Sequence, residues 1–356
     1  MSKPSQPATP ASRFIKHDTF GVSHPLSTAR RRFLGTTGRG ALLALGIPAL
    51  AFGGAAEAYG ATARSYFAGS YGLLLDGVFA GFLTGFSGGN VVGDVIKVQP
   101  VGADRVQRKR VGPPHAEPIT VECGLSMAKP FYEWIKSSIE PGSRPLAKNG
   151  AIVEFDGTFK EMGRRNFSNA AVTEVEFPSC DGSSKDPARL TVTFQPQTVA
   201  LAPGSGATAP RQVAPARLLR SNFKLRIQGL EEALTRTTAI EAFDIKLTGG
   251  ASDLLHREPA RTVIDLPNLS ITVGDSLIGQ IYAWHQEFVL KGGGKPRLGV
   301  LDYLSPDLKS VLMSVNFSGL GIIKVAPEPL TAGAAPAIRR SRVEMYCEAV
   351  TVDFKA

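Results

Sequence analysis

Three cysteines and five histidines in 356 residues exclude whole classes of chemistry. Cys123, Cys180 and Cys347 form no C-x-x-C pair and no even disulfide framework. Cys123 and Cys347 lie in alternating apolar runs and read as buried free thiols, whereas Cys180 sits in a polar loop and reads as exposed. His115, His256 and His285 are far apart, so no metal-ligand spacing exists, and neither a metal nor another cofactor is expected. The chain also lacks an H-E-x-x-H helix. Gly292-Gly293-Gly294-Lys295 is followed by proline where a phosphate loop needs Ser or Thr, so it reads as a helix stop. Asp76, Asp94, Glu133 and Glu154 are scattered carboxylates that read as solvated positions, and catalysis is not expected. No apolar run approaches the roughly 20 residues that a spanning helix needs, so no stable membrane span is expected.

Charge is concentrated at one end. Of the formal +9, residues 1–63 carry +5, with seven Lys/Arg against Asp18 and Glu57, leaving +4 for the body. Nucleic-acid recognition, which needs a basic stripe on folded domains, is therefore not expected. Residues 1–25 are Ser/Pro/Lys-rich without periodicity and read as a disordered extension. Residues 26–63 form a leader: Arg30-Arg31-X-Phe33-Leu34 resembles a twin-arginine export signal. The uncharged run Ala41–Phe52 and an A-x-A-like cleavage site at Ala56-Glu57-Ala58 follow. The expectation is export by the twin-arginine translocase to the periplasm or beyond, or a cytoplasmic protein if the leader is not used.

The chain has only two tryptophans, Trp134 and Trp284, 150 residues apart and each preceded by Tyr-X. Met127, Phe131 and Trp134 stand at i, i+4 and i+7 in Ser126–Ile139. Leu277, Ile281 and Trp284 repeat that spacing in Ser276–Val289, so each stretch predicts an amphipathic helix with a core-facing stripe. Asn166-Phe167-Ser168 recurs as Asn316-Phe317-Ser318 at the same offset, and Gly150-Ala151-Ile152 recurs as Gly299-Val300-Leu301. Ordered anchors at near-constant spacing point to an internal duplication of a domain-sized unit.

Around each helix the pattern is of strands. Leu73–Asp76, Val91–Val98, Ile119–Cys123, Ala151–Phe155, Ala171–Phe177 and Leu190–Phe194 precede a Pro/Ala/Gly/Ser tract. Phe223–Ile227, Ile240–Lys246, Leu269–Val273, Val300–Leu304, Val311–Val325 and Val343–Val352 follow it. The reading is mainly β: two tandem antiparallel β-barrel or sandwich domains, each with one packed helix, at 64–196 and 220–356, joined by a linker at 197–219. The Gly-rich piece between Leu73–Asp76 and Val91–Val98 reads as hairpin and bulge glycine, and Arg105, Arg108, Lys109 and Arg110 read as a solvated basic loop.

Residues 71–196 carry a linked series of motifs: Leu75-Asp76-Gly77-Val78, then Ile119–Val121 leading into Gly124-Leu125-Ser126-Met127-Ala128-Lys129-Pro130-Phe131-Tyr132-Glu133-Trp134-Ile135, then Asn169–Pro178 and Ser184-Lys185-Asp186-Pro187. This series resembles the tube proteins of contractile phage tails and related contractile injection systems; the second half joins only through the repeat. The resemblance implies a non-catalytic structural protein whose small barrels extend sheets edge to edge into rings that stack as a tube. The resemblance implies a six-fold ring, a hexamer, or for a chain with two barrels a trimer with pseudo-six-fold symmetry, with self and other tail components as partners. The assembly segments it implies include Gly77, Asp94, Arg108, Lys109 and Arg110. An exported envelope scaffold or binding module that reuses the fold is the alternative.

Overall fold

A computed structural model describes residues 70–98, 107–140, 146–210, 218–248, 263–329 and 338–355, all within the unit Ala63–Ala356. Arg30, Arg31, Phe33, Leu34, Ala56, Ala58 and Arg105 lie outside the described residues. The first half runs β1 (Tyr71–Leu75), β2 (Val78–Leu83), β3 (Gly85–Gly88), β4 (Val91–Val98), β5 (Arg108–Ala116), β6 (Ile119–Cys123), α1 (Lys129–Ile139), β7 (Lys148–Phe155), β8 (Glu161–Phe177), β9 (Cys180–Asp181), β10 (Leu190–Gln195) and β11 (Thr198–Pro203). The second half runs β12 (Phe223–Ile227), α2 (Glu231–Leu234), β13 (Thr237–Ile240), β14 (Phe243–Thr248), β15 (Val263–Asp265), β16 (Leu269–Gly274), α3 (Gly279–His285), β17 (Arg297–Leu304), β18 (Val311–Pro327), β19 (Arg340–Tyr346) and β20 (Ala349–Phe354). The mainly β, antiparallel class expected from the sequence is borne out.

Alternation of apolar and polar residues sets which face of each strand is buried. In β6 Ile119, Val121 and Cys123 are buried, and in β10 Leu190, Val192 and Phe194 oppose them in register. The first-half sheet has the order β2-β1-β7-β8-β10-β6-β3. β2 runs into β3 past Thr84, whose N–H donates to the Glu122 carbonyl at 2.8 Å, so the two ends of the sheet meet and nearly close a barrel. The second half repeats the pairings as β12-β17-β18-β19-β16-β13, with β20 on β18 as β11 is on β8. Both 17-residue strands turn from one sheet into the next at a left-handed residue, Asn169 (φ 48) in β8 and Gly319 (φ 66) in β18. Each then bulges against its neighbour at matching places, beside Thr173 and beside Ile323.

Helix α1 plugs the first barrel. Pro130 sits in its first turn, where a missing N–H costs nothing, and Phe131, Trp134, Ile135 and Ile139 are buried beneath the strands. Trp134 lies 5.2 Å from Phe194 ring to ring, and its Nε1–H donates to the Leu146 carbonyl at 2.6 Å. The second helix is broken: a 3-10 turn at Asp275–Leu277, α3 proper, then a π-helical turn at Gln286–Leu290. Most buried residues of both halves belong to one continuous hydrophobic cluster, and Ala151, Val153 and Phe155 form a second, smaller one with Leu74, Phe79 and Phe82.

Several local expectations are corrected. The Gly-rich piece is an exception that keeps its hairpin and bulge reading: Gly77 (φ 82) turns β1 into β2, Gly81 faces Leu73 at a register shift, and Gly88 (φ 78) at the end of β3 packs against the Pro118 carbonyl where a side chain would not fit. The basic segment Arg108–Arg110 belongs to β5, paired with Val98, Lys97 and Ile96 of β4. Thr198–Pro203, read as linker, is a strand held on β8 by backbone pairing. Ile240–Lys246 and Val343–Val352 each divide into two strands that join different neighbours. Cys180 is buried, not exposed, because β9 pairs with β13 of the second half, and desolvation pushes its thiol up to about 12. Cys347 is half-buried.

Candidate assembly interface

The two halves meet by exchanging strands. β14 leaves the second half and pairs antiparallel with the last residues of β8, in the register Phe243↔Phe177, Asp244↔Glu176, Ile245↔Val175 and Lys246↔Glu174. β9 crosses the other way to pair with β13. The alternating Phe243, Ile245 and Leu247 of β14 are buried by this docking, and the Phe243 ring stacks on Phe177 at 5.0 Å. Lys246 bridges Asp244 at 2.7 Å and Glu174 at 3.6 Å. Its hydrogen bond lowers the Asp244 carboxyl pKa, while burial first, and then the neighbouring Asp244, raises that of Glu174.

A second layer of the joint is built by α1. Its outer face packs on β20, where the Tyr132 ring stacks on Phe354 at 4.3 Å and Lys136 Nζ donates to Asp353 Oδ1 at 2.9 Å. That bond lowers the Asp353 pKa and raises the lysine's. Tyr303 donates its hydroxyl to the Pro178 carbonyl at 2.9 Å. Burial raises its pKa well above the usual phenol range, so it stays a neutral donor.

The partners of these surfaces in the other half are open. The strand pair β4–β5 stands between β3 and β6 in chain order, as β14–β15 stands between β13 and β16, yet it forms a sheet of its own and pairs with no other described strand. Val95 and Val111, directly opposite each other on it, are 61% and 74% exposed. By the matched bulges, Lys324–Pro327 on β18 stand where Glu174–Phe177 stand on β8. The side of β18 away from β19 carries no partner among the described residues there. Leu201 on β11, the place held by buried Val352 on β20, is 73% exposed.

The residues expected from the sequence fall as follows. Met127, Phe131, Trp134, Ile281 and Trp284 are buried, and Leu277 is partly buried against the same core. Gly77 (φ 82) sits in the exposed turn between β1 and β2. Asp94 lies on β4 with Oδ2 3.8 Å from His115 Nδ1, and Arg108, Lys109 and Arg110 are exposed on β5. Asp94 and the three basic residues thus share the β4–β5 arm, while Gly77 is elsewhere. The docked pair β14–β8 and the open edge of β18 were not anticipated. The one signal for them was Phe-X-Ile-X-Leu in β14, which marks a strand but not its partner. Among the described residues no group of three or more His, Cys, Asp or Glu is placed to hold a metal, and no helix is long and apolar enough to cross a membrane.

No protein-family model matches the chain, and no curated protein matches it. Among solved structures it is similar to a chain of the anti-feeding prophage cap (AFP tube terminating cap). That match has 21% identity and a TM-score of 0.35, over 40% of this chain and 95% of the other. It is also similar to a chain of the sheath-tube complex of PVC, an extracellular contractile injection system, in the extended state. Identity there is 20% and the TM-score 0.35, over 40% of this chain and 94% of that one. A chain of the six-fold symmetrised AFP baseplate matches at 13% identity and a TM-score of 0.33, over 40% and 97% respectively.

Proposed function

We propose that this chain is a non-catalytic structural subunit of a contractile-tail or injection-system tube, whose two barrels arose by duplication and which closes into rings with further copies of itself. The observation that carries this reading is the joint between the halves. One barrel already receives a strand of the other, while the matching arm and the matching edge are both left open on the same chain. Such a head-to-tail contact generates closed rings when its rotation closes. Three chains would supply six barrels, and other tail components would cap or continue the ring. The motif series in residues 71–196 supports the same reading. Light scattering and negative-stain microscopy on the full chain test it: rings of two-barrel subunits are expected, and a chain that stays monomeric at every concentration removes it.

A second reading is favoured by Arg30-Arg31-X-Phe33-Leu34 and Ala56-Glu57-Ala58, which speak for an exported envelope scaffold delivered by the twin-arginine translocase. Cell fractionation with intact-mass measurement separates the two. A cytosolic protein of full mass ends the export reading, and a cleaved periplasmic monomer favours it over the tube.

A further inference from the structure

A surface on this chain is already shown with its partner bound, because the partner belongs to the same chain. β14 lies on the outer edge of β8, and α1 lies on β20. The repeat pattern supplies a second copy of every element in that joint: β4 for β14, β18 for β8, α3 for α1 and β11 for β20. None of these second copies is joined to its counterpart within the described residues.

We infer that the β4–β5 arm of one copy docks antiparallel on the β18 edge at Lys324–Pro327 of a second copy, with α3 of that second copy covering β11 of the first. The contact between chains thereby repeats the contact within the chain. This rests on the ring-forming reading above and names its interface.

Four features of the surfaces fit this occupant. An unpaired edge presents a row of backbone donors and acceptors that a strand satisfies best. Of the two arm strands, β4 suits the pairing, since Pro113 and Pro114 remove donors from β5. The apolar side chains differ in the direction that docking requires: Ile245 on the docked arm is fully buried, whereas Val95 on the open arm is 61% exposed. The covered strands differ likewise, with Val352 fully buried on β20 and Leu201 73% exposed on β11.

The joint is heterologous, so each copy carries one arm and one edge, and the test uses that polarity. In the full chain Val95→Asp blocks the arm, and Val325→Asp, at the place that fully buried Val175 holds on β8, blocks the edge. Alone, each variant should lose self-association by at least about tenfold, the scale set by burying an unpaired charge. Mixed in equal amounts, the arm-blocked chain still offers its edge and the edge-blocked chain its arm. A two-chain species that grows no further is expected by mass photometry. Rings that persist with either variant overturn this interface and leave the ring reading standing; a wild-type chain that never associates overturns both. Should an edge variant misfold by circular dichroism, single cysteines decide on a native background. Chains carrying Ile96→Cys mixed with chains carrying Lys324→Cys, or Asp94→Cys mixed with Ala326→Cys, should form a mixed disulfide, because these residues would stand opposite each other as Lys246 stands opposite Glu174 and Asp244 opposite Glu176, and failure of both pairs overturns the inference.

Discussion

Replacing each tryptophan by phenylalanine separates packing from hydrogen bonding, because the two indoles are equally buried and differently satisfied. Trp134 and Trp284 are 0% and 2% exposed, so each loses a comparable ring volume, worth about 1–2 kcal/mol as a partial large-to-small change. Trp134 also loses the bond from Nε1–H to the Leu146 carbonyl. Leu146 is half exposed, so its oxygen rehydrates, and the loss stays at about 0.5–1.5 kcal/mol. Trp284 Nε1 is buried with no hydrogen-bond partner among the described residues. Its removal relieves a desolvation penalty of about 1–3 kcal/mol. Against that stands a weakened contact with the Arg297 guanidinium, 4.8 Å above the ring, at about 0.5–1 kcal/mol. Trp134→Phe is therefore expected to cost more than Trp284→Phe by about 1–3 kcal/mol. Urea unfolding reads this directly, since each variant keeps one tryptophan as the sole indole reporter, and an unchanged m-value shows that the same transition is compared. Equal losses, or a larger loss at Trp284, would refute the reasoning.

Three further outcomes are expected. Gly150→Ala places a Cβ 2.1 Å from the Leu74 carbonyl and 2.6 Å from the Phe167 ring, between two paired strands. It should cost about 1–3 kcal/mol in thermal or urea unfolding, whereas Gly157→Ala, with nothing within 4 Å, should change little. The Glu161 carboxyl is held down to about 2 by its bond from Arg164, below the ordinary 4.5, so its contribution is present above about pH 4.5 and is lost as pH falls towards 2. Between about pH 6 and pH 3 wild type should therefore lose more stability than Glu161→Gln, and parallel losses contradict the assignment. A double-mutant cycle on Tyr132→Ala and Phe354→Ala should return a coupling of about 0.5–1.5 kcal/mol for the stack between the halves, and a value near zero would mean the rings do not interact.

What the sequence disclosed was whatever a periodic side-chain pattern writes. The i, i+4, i+7 stripe of Phe131 and Trp134 marked α1, and the alternation of Ile119, Val121 and Cys123 marked β6 before their burial was visible. β11 left no such mark: Thr-Val-Ala-Leu-Ala-Pro is largely exposed and is held by backbone bonds to β8, which carry no residue signature. The run Ser276–Val289 has the stripe of one continuous helix, yet it is broken into 3-10, α and π turns. In the π-helical turn Phe288 is the residue packed against the core, while Val289 and Leu290 are 45% and 72% exposed, so little packing enforces α geometry there. Cys180 and the β14–β8 joint were illegible for a different reason. Their surroundings come from the other half of the chain, and burial supplied from afar has no local period.

The two joints must also be kept from exchanging partners, and one residue position bears on this. Within the chain Lys246 of β14 stands opposite Glu174 of β8 at 3.6 Å, and the matching position on β18 is Lys324. A β14 strand that tried to dock on the β18 edge of another copy would set Lys246 against Lys324. Like charges directly opposite on paired strands are destabilising, by a margin comparable to the roughly 0.2–1 kcal/mol that a favourable pair contributes. The joint within the chain already forms at the effective concentration of a tethered pair, so a modest repulsion suffices to hold β14 to its own β8 and to leave β18 for the β4–β5 arm. Lys324→Glu removes the repulsion and offers Lys246 a second partner. The expected result is a wider spread of oligomer sizes by mass photometry, with monomer stability lowered by about 0.2–1 kcal/mol because Lys324 also stands opposite Glu344 of β19 at 3.6 Å, and an unaltered spread would show that this charge plays no part in choosing the partner.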